Sequence, residues 1–300
     1  MDVFSGSGLG ELKALRRAVI LAHSYTPPGI QDIADLVGDS LELSRAAASM
    51  DCDTVVLCGV RFMAETAAVL SPGKAVLNPA PGAGCPLADS MDVSSLRRLQ
   101  AEHPGDATVV YVNSSLEAKA ASWACCTSAN ASAVVAAAPS RDVVFGPDRN
   151  LGTFVARSTG RRLWIFDGGC PPHDGADIPD MERWRRAWPD ARLLVHPETP
   201  PAAWDLADAV LGTGAMIAYV KNSDARRFLI GTEAGMIHRL QVLFPGREFS
   251  AVGRIGCPNM KKISPEAVVS CLRNMEPLVR IERSLADAAR AAIERMAAIG

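Results

Sequence analysis

Cysteine is the residue type in this 300-residue chain with the most distinctive chemistry, and three of its eight cysteines are regularly spaced. Cys170 follows Cys85 by 85 residues, and Cys257 follows Cys170 by 87. Each of the three comes directly after a glycine at the end of an apolar run. Thiolates are soft ligands that select zinc or iron–sulfur clusters. Three thiolates at one centre would suit a zinc ion with one open position, or a 4Fe-4S cluster whose fourth iron lacks a protein ligand.

We favour the cluster, because three sulfurs donate enough electron density to weaken a zinc ion as a Lewis acid toward substrate oxygens. The alternative without a metal is that the three cysteines are ordinary small buried residues. The other five lack the spacing and are predicted to pack in the core: Cys52, Cys58, Cys125, Cys126 and Cys271.

Polar side chains recur at the same interval as the cysteines. His23, Tyr111 and His196 follow apolar runs and are separated by 88 and 85 residues. Tyr25 and Glu198 each lie two positions beyond a histidine, so in an extended chain each pair would point to one face. A carboxylate beside an open metal position is suited to general acid or base catalysis.

The elements that must position these residues form a repeat of about 85 residues. Each unit is predicted to contain a strand with a polar end, a helix, a strand ending in glycine, a helix, and a strand leading to the Gly-Cys loop. The glycines are Gly59, Gly146 and Gly231. Strands alternating with helices predict βαβ units with parallel sheets. Two Ala-rich segments are read as helical: residues 29–48, in two parts interrupted near Gly38, and residues 120–138.

The repeat therefore predicts an α/β fold of three homologous parallel-sheet αβα domains with pseudo-threefold symmetry around a central cavity. The approximate domain boundaries are residues 1–90, 91–180 and 181–300, the last with a C-terminal helix. Functional side chains collect beyond the carboxyl ends of parallel strands. Three such units would bring the polar strand ends and the three cysteines to one centre.

Composition narrows the class of partner. The chain has 31 basic and 33 acidic residues, a balance that gives no electrostatic footprint for nucleic acid or an anionic membrane. No apolar run approaches the roughly 20 residues that a membrane span needs, and the N-terminus lacks the pattern of an export signal. We expect a cytosolic protein with small-molecule partners.

Long collinear motifs give the chain a specific resemblance. It resembles the quinolinate synthase family along essentially its whole length, through motifs that include LAHSYTPPGIQDIADLVGDSLELSR, GCPLADSM, YVNSS, CTSANA, FGPDRNLG, GCPPHD, VHPE, GTEAGMIHRL and CPNMKK. The resemblance implies an enzyme of NAD biosynthesis that condenses iminoaspartate with dihydroxyacetone phosphate to give quinolinate, phosphate and two waters. It also implies a 4Fe-4S cluster held by Cys85, Cys170 and Cys257, with the open iron as Lewis acid.

The resemblance further implies roles for other residues. Four are assigned to catalysis: His23, Tyr25, His196 and Glu198. Nine are assigned to substrate binding: His23, Ser40, Tyr111, Asn113, Ser128, His173, His196, Glu198 and Thr213. Lys261 and Lys262 are left outside the site, because paired lysines are usually solvated. A transient contact with an aspartate-oxidising enzyme would supply the unstable iminoaspartate.

The chain departs from the family pattern at Ser24 and Thr26, and at Gly212, where a hydroxyl is common. No cysteine pair follows Cys257, so we predict no thiol switch there. Three alternatives stay open: a paralogue that acts on another imine, a non-catalytic iron–sulfur sensor, and a zinc-dependent lyase.

Overall fold

The computed structural model of the protein describes residues 6–299. It contains three four-stranded sheets whose strands all pair in parallel. The first has β1 (Ala18–His23), β2 (Leu36–Gly38), β3 (Thr54–Cys58) and β4 (Ala75–Leu77). The second has β5 (Ala107–Tyr111), β6 (Ala124–Cys126), β7 (Val143–Gly146) and β8 (Leu163–Ile165). The third has β9 (Arg192–Val195), β10 (Ala209–Val210), β11 (Arg227–Gly231) and β12 (Glu248–Ala251).

The three sheets share one topology, which confirms the predicted α/β class with parallel sheets. In each, the first strand along the chain lies between the second and third, and the fourth lies beyond the third. The central strands are short apolar runs rich in Val, Leu and Ile, with β3, β7 and most of β1 and β5 buried. Such continuous burial is expected where helices cover both faces of a parallel sheet.

Each unit has four strands where the sequence predicted three, because the strand after the first helix was missed. In residues 29–48, the interruption near Gly38 is β2 itself. Residues 120–138 are not one helix, since β6 divides them. β6 is buried against β5, so tertiary packing overrides the helical preference of its Ala-rich surroundings. β2, β6 and β10 have only two or three residues each. They are too short for an alternation of apolar and polar residues to identify them as strands.

The helices fall into three groups along the chain. The first group is α1 (Gly6–Leu15), α2 (Pro28–Ile33), α3 (Ser40–Ser49), α4 (Arg61–Leu70), α5 (Pro86–Ser90) and α6 (Val93–Glu102). The second is α7 (Leu116–Ala120), α8 (Ala131–Ala136), α9 (Arg149–Thr159), α10 (Pro171–Asp174) and α11 (Ile178–Ala187). The third is α12 (Pro201–Leu206), α13 (Thr213–Asn222), α14 (Met236–Leu243), α15 (Pro265–Asn274) and α16 (Arg283–Ala298). None of the helices within residues 6–299 is long and apolar enough to cross a membrane.

The C-terminal part of the chain returns to the first two sheets. α16 packs against α3 and α4 of the first unit and against α7 and β6 of the second. Just before it, Leu278 forms an antiparallel bridge with Leu77, and the Val279 N–H donates to the Val76 carbonyl at 2.8 Å. This segment covers the open edge of β4, an edge that would otherwise be free to pair with another chain. The proposed domain boundaries remain predictions.

The five cysteines assigned to packing are all buried within the main hydrophobic core. This part of the cysteine interpretation is confirmed.

Candidate active site

The same turn follows the first strand of every sheet. A buried hydroxyl side chain donates to the backbone carbonyl three residues earlier: Thr26 to His23 at 2.8 Å, Ser114 to Tyr111 at 2.8 Å and Thr199 to His196 at 2.7 Å. All three hydroxyl residues are fully buried. The turn fixes the backbone direction at the strand end, and the polar side chains of the three units therefore leave their sheets in the same way.

These strand ends surround a central cavity of about 370 Å³. Its lining includes all thirteen residues that the sequence and the family resemblance assign to the site: His23, Tyr25, Ser40, Cys85, Tyr111, Asn113, Ser128, Cys170, His173, His196, Glu198, Thr213 and Cys257. The structure thus brings together residues spread over 235 positions of the chain. Their individual roles remain proposals.

Glu198 is the charged centre of the cavity. Its Oε1 accepts a hydrogen bond from Tyr111 Oη at 2.6 Å, and its Oε2 lies 2.9 Å from His173 Nδ1 and 3.8 Å from His196 Nδ1. Burial opposes its ionisation, but His173, His196 and the Tyr111 hydrogen bond outweigh burial and hold the pKa of Glu198 below its ordinary value. The side chain is therefore a carboxylate at neutral pH, although only 3% of the residue is exposed.

Thr232 joins the remaining proton-carrying groups. Its Oγ1 lies 2.6 Å from Tyr25 Oη and 2.8 Å from His173 Nε2. Because His173 also contacts Glu198, a continuous chain of hydrogen-bonding atoms runs from the Tyr25 phenol to the Glu198 carboxylate. Burial, reinforced by the charge of Glu198, raises the pKa of Tyr25 well above its ordinary value, so the phenol keeps its proton.

The other two histidines are buried and neutral. Burial lowers the pKa of His23 to about 4 and that of His196 to about 3. His23 Nδ1 accepts the Tyr25 N–H at 3.1 Å, and His196 Nε2 lies 3.1 Å from Ser128 Oγ. Each ring therefore presents one lone pair and one N–H, and its orientation is set by a backbone amide or a neighbouring hydroxyl.

Hydroxyl side chains follow the second strand of every sheet, the strand that the sequence did not predict. Ser40 and Thr213 are the first residues of α3 and α13, and Ser128 follows β6. Asp39 caps α3 with its side chain, whereas the corresponding Gly212 of α13 makes no side-chain cap. The N-terminus of α13 therefore adds uncapped backbone N–H groups beside Thr213, an arrangement that favours an anionic ligand.

The loops that carry two of the three cysteines are held by buried acidic side chains. The Cys170 N–H donates to Asp148 Oδ2 at 3.1 Å, and the Cys257 N–H donates to Glu233 Oε1 at 3.2 Å. Neither Asp148 nor Glu233 is exposed to solvent. In the first unit Val60 occupies the corresponding position, so Cys85 has no equivalent carboxylate.

Lys261 lies outside the cavity lining and its side chain is 40% exposed, but its ammonium group is bound by neighbouring residues rather than simply solvated. Its Nζ lies 2.9 Å from Glu233 Oε1 and donates to the Tyr25 carbonyl at 2.8 Å. It therefore connects the Cys257 loop of the third unit to the Tyr25 turn of the first. Lys262 is more peripheral, and its Nζ donates to the Gly82 carbonyl at 3.1 Å.

Sequence reasoning missed Asp148, Thr232, Glu233 and Lys261. The repeat contains the information needed to find the two acids. In each unit, one backbone N–H donates to the carbonyl two residues before the cysteine, and the donors are Arg61, Arg149 and Ala234. The residues directly before these donors therefore occupy equivalent positions: Val60, Asp148 and Glu233. Two acids at equivalent positions next to buried strands would have indicated a shared role. The contacts of Lys261 with Glu233 and with the Tyr25 carbonyl depend on how its loop folds. The spacing of residues in the sequence does not show this.

All three cavity cysteines are free thiols, and each is partly buried. Burial raises the pKa of Cys85 to about 12 and that of Cys170 well above its ordinary value, so binding a metal would displace these protons. Across residues 6–299, one group of three or more ligand atoms lies mutually within 4.8 Å: Cys170 Sγ, His173 Nδ1 and Glu198 Oε2. The three sulfurs together do not form such a group.

A family model described as quinolinate synthetase A protein matches residues 8–298. The quinolinate synthase of Pelobacter propionicus is 46% identical over 291 residues, which cover 96% of both chains. That of Geobacter metallireducens is 46% identical over 285 residues, covering 95% of this chain and 94% of the relative. That of Dehalococcoides mccartyi is 45% identical over 289 residues and covers 96% of each. This chain belongs to the quinolinate synthetase A protein family.

Proposed function

We propose that the chain is a quinolinate synthase, which condenses iminoaspartate with dihydroxyacetone phosphate to give quinolinate, phosphate and two waters. One observation carries the proposal. A single cavity, in a chain of this family, is lined by one cysteine from each of three repeated units together with buried proton-carrying groups.

The donor set fits a 4Fe-4S cluster better than a zinc ion held by the same three cysteines. Three thiolates on one tetrahedral zinc, each at about 2.3 Å, would stand about 4 Å apart. Cys85, Cys170 and Cys257 do not approach one another that closely as a group, whereas a cluster binds each thiolate at a different iron and needs wider spacing. Three sulfurs from three units leave the fourth iron without a cysteine. When bound, the cluster supplies a Lewis acid for substrate oxygens.

The chain's own residues would bind the two carboxylates of iminoaspartate. Neutral donors suited to this task line the cavity: Ser128, Thr213, Tyr111 and Asn113. The uncapped start of α13 adds backbone N–H groups beside Thr213. His23 and His196 stay neutral at physiological pH, so they would act as hydrogen-bond donors and acceptors and not as fixed charges.

Proton transfer would use the chain of contacts between Tyr25 and Glu198. The Tyr25 phenol holds its proton and can donate it to a substrate oxygen, while ionised Glu198 can accept a proton through His173. Condensation with loss of two waters and phosphate requires protons to be removed from carbon and nitrogen and delivered to leaving oxygens. The Tyr25 phenol would supply a proton donor at one end of this chain of contacts and the Glu198 carboxylate a proton acceptor at the other.

The test is anaerobic preparation of the chain, with iron and sulfide quantified and quinolinate measured from iminoaspartate and dihydroxyacetone phosphate. We expect a brown, active protein that loses colour and activity on Cys85→Ser, Cys170→Ser or Cys257→Ser. Cys52→Ser, at a buried cysteine away from the cavity, is the matched control and should retain both.

A colourless preparation that is fully active would refute the cluster. A brown protein that forms no quinolinate, and acts on another imine when a panel is offered, would replace the proposed reaction with that of a paralogue.

A further inference from the structure

The cavity also contains a set of ligands suited to a single metal ion, which shares only Cys170 with the three-cysteine set. Cys170 Sγ lies 3.2 Å from His173 Nδ1, and His173 Nδ1 lies 2.9 Å from Glu198 Oε2. The three atoms lie mutually within 4.8 Å. A thiolate, an imidazole and a carboxylate are the three kinds of side-chain ligand that zinc takes in proteins.

The spacing is close to what a tetrahedral ion requires. Zinc–ligand bonds of about 2.0–2.3 Å at a tetrahedral angle separate nitrogen from oxygen by about 3.4 Å, and nitrogen from sulfur by about 3.6 Å. The observed distances are shorter by a few tenths of an ångström, so a small outward shift of the side chains would admit the ion. Three protein ligands would leave the fourth position to water.

Neighbouring side chains also orient His173 and Glu198 in the way that metal ligands need. His173 Nε2 contacts Thr232 Oγ1 at 2.8 Å, and a proton on Nε2 leaves the Nδ1 lone pair free for a metal. Tyr111 holds Glu198 through Oε1, which leaves Oε2 available. Both ligands are thus oriented by partners on their far sides, as the outer shell of a metal site usually does.

We infer that the chain without its cluster binds one zinc ion at Cys170, His173 and Glu198, and that this ion and the cluster exclude each other. Exclusion follows because both need the Cys170 thiolate. In the zinc-bound chain His173 and Glu198 are ligands of the ion. In the cluster-loaded chain both are free for proton transfer. Zinc binding does not depend on the proposed reaction, although its competition with the cluster rests on the proposed cysteine ligands.

The experiment uses the full chain, stripped of metal by a chelator under anaerobic, reducing conditions, and Co²⁺ as a spectroscopic probe. We expect one Co²⁺ per chain, with the intense visible bands of a tetrahedral ion and a sulfur-to-cobalt charge-transfer band. Added Zn²⁺ should abolish these bands and bind with a Kd below about 1 μM. A chain loaded with its cluster should bind no Co²⁺ in this manner.

Some variants should affect the three-cysteine site and spare this site, and others should do the reverse. Cys85→Ser and Cys257→Ser should prevent cluster assembly and leave Co²⁺ binding unchanged. His173→Asn and Glu198→Gln should weaken Co²⁺ binding by about 10–100-fold or more while still assembling a brown cluster, which also shows that they fold. Cys170→Ser should remove both the charge-transfer band and the cluster.

Three results would overturn the inference. These are the absence of Co²⁺ binding at micromolar concentration, equal loss of binding in Cys85→Ser and Cys257→Ser, or Co²⁺ bands in the cluster-loaded chain. All of these binding experiments measure metal content or light absorption, and none measures activity. A failure to form quinolinate would therefore bear on the proposed reaction and not on this site.

Discussion

At the residue scale, His173 is the most connected side chain of the cavity. Its Nδ1 faces both Cys170 and Glu198, and its Nε2 faces Thr232. Sequence reasoning assigned it only to substrate binding, because a histidine three residues after a cysteine does not reveal which atoms its ring will meet. Glu198 and His196 were paired from their alternation along an extended chain; the chain turns after His196 instead, and both side chains still line the cavity.

Removal of the Tyr25 hydroxyl should separate proton delivery from cofactor binding. In Tyr25→Phe the ring and its edge contact with His23 are kept, but the contact with Thr232 Oγ1 is lost. We expect kcat to fall by about 10²–10⁴-fold with iron content unchanged. Tyr219→Phe, on α13 and outside the cavity lining, is the control and should leave kcat unaltered. A kcat within twofold of the wild type for Tyr25→Phe would remove Tyr25 from the proton-transfer groups.

The buried histidines predict how stability depends on pH. Burial sets the pKa of His23 near 4 and that of His196 near 3, below the value of about 6.5 in an unfolded chain. Between these values the unfolded state binds more protons, so stability falls as pH is lowered from about 6.5 toward 4. Each histidine should contribute up to about 1.4 kcal/mol per pH unit.

Urea unfolding of the metal-free chain between pH 7 and pH 5 measures this effect. The double variant His23→Asn/His196→Asn should show a smaller loss of unfolding free energy over that range. An identical pH dependence in the two proteins would mean that the histidines are charged when folded.

At the scale of elements, the Asn130 side chain ties the end of α16 to the second unit, in addition to the Arg295 side chain, which donates to the Trp123 carbonyl. Asn130 Nδ2 lies 2.9 Å from the Met296 carbonyl and 2.7 Å from that of Ile299, at the end of the helix, and Oδ1 accepts the Thr127 N–H at 2.8 Å. The asparagine therefore satisfies carbonyl groups that a helix end leaves without partners.

We expect Asn130→Ala to lower the free energy of unfolding by about 2 kcal/mol, because buried backbone groups lose their partners. Asn274→Ala, at the exposed end of α15, should change it by no more than about 0.5 kcal/mol. Thermal and urea denaturation of the two variants test this. Equal effects would show that the Asn130 hydrogen bonds add nothing measurable to the stability of the chain.

The sequence predicted three strands of each sheet and missed the short edge strand that follows the first helix of the unit. Strands β1, β5 and β9 could be located because a buried apolar run precedes a polar residue in each repeat. β10 has only two residues, and its position is set by pairing with β9. Such an edge strand forms because a neighbouring strand pairs with it. The composition of the segment itself does not predict that pairing. Ser40, Ser128 and Thr213 were placed at the site through the family resemblance, although the strands that carry them were missed.

At the scale of the whole molecule, Lys261 connects the first and third units, because it pairs with Glu233 and donates to the Tyr25 carbonyl. The Glu233 side chain is fully buried and that of Lys261 is 40% exposed, so solvent screens part of their attraction. Lys261→Met would leave the carboxylate buried without its cation. We expect a loss of about 1–3 kcal/mol in unfolding free energy.

A double-mutant cycle with Glu233→Gln tests this link. The double variant should be more stable than Lys261→Met, because the neutral amide no longer needs a cation. Lys221→Met, at an exposed position on α13, is the matched control and should stay within about 0.5 kcal/mol of the wild type. Additive effects of the two substitutions would show that the pair is not coupled.

The wide separation of the three cavity cysteines along the chain also determines when the site can be completed during synthesis. A growing chain that has released Cys85 and Cys170 still lacks Cys257, the loop that Glu233 holds, and the α16 packing that joins the first two units. The cavity is therefore complete only after Cys257 and α16 have left the ribosome. Any metal that needs all three sulfurs can be fully ligated only from that point on. Brown colour during expression would then measure the fraction of chains that have acquired a cluster after that point.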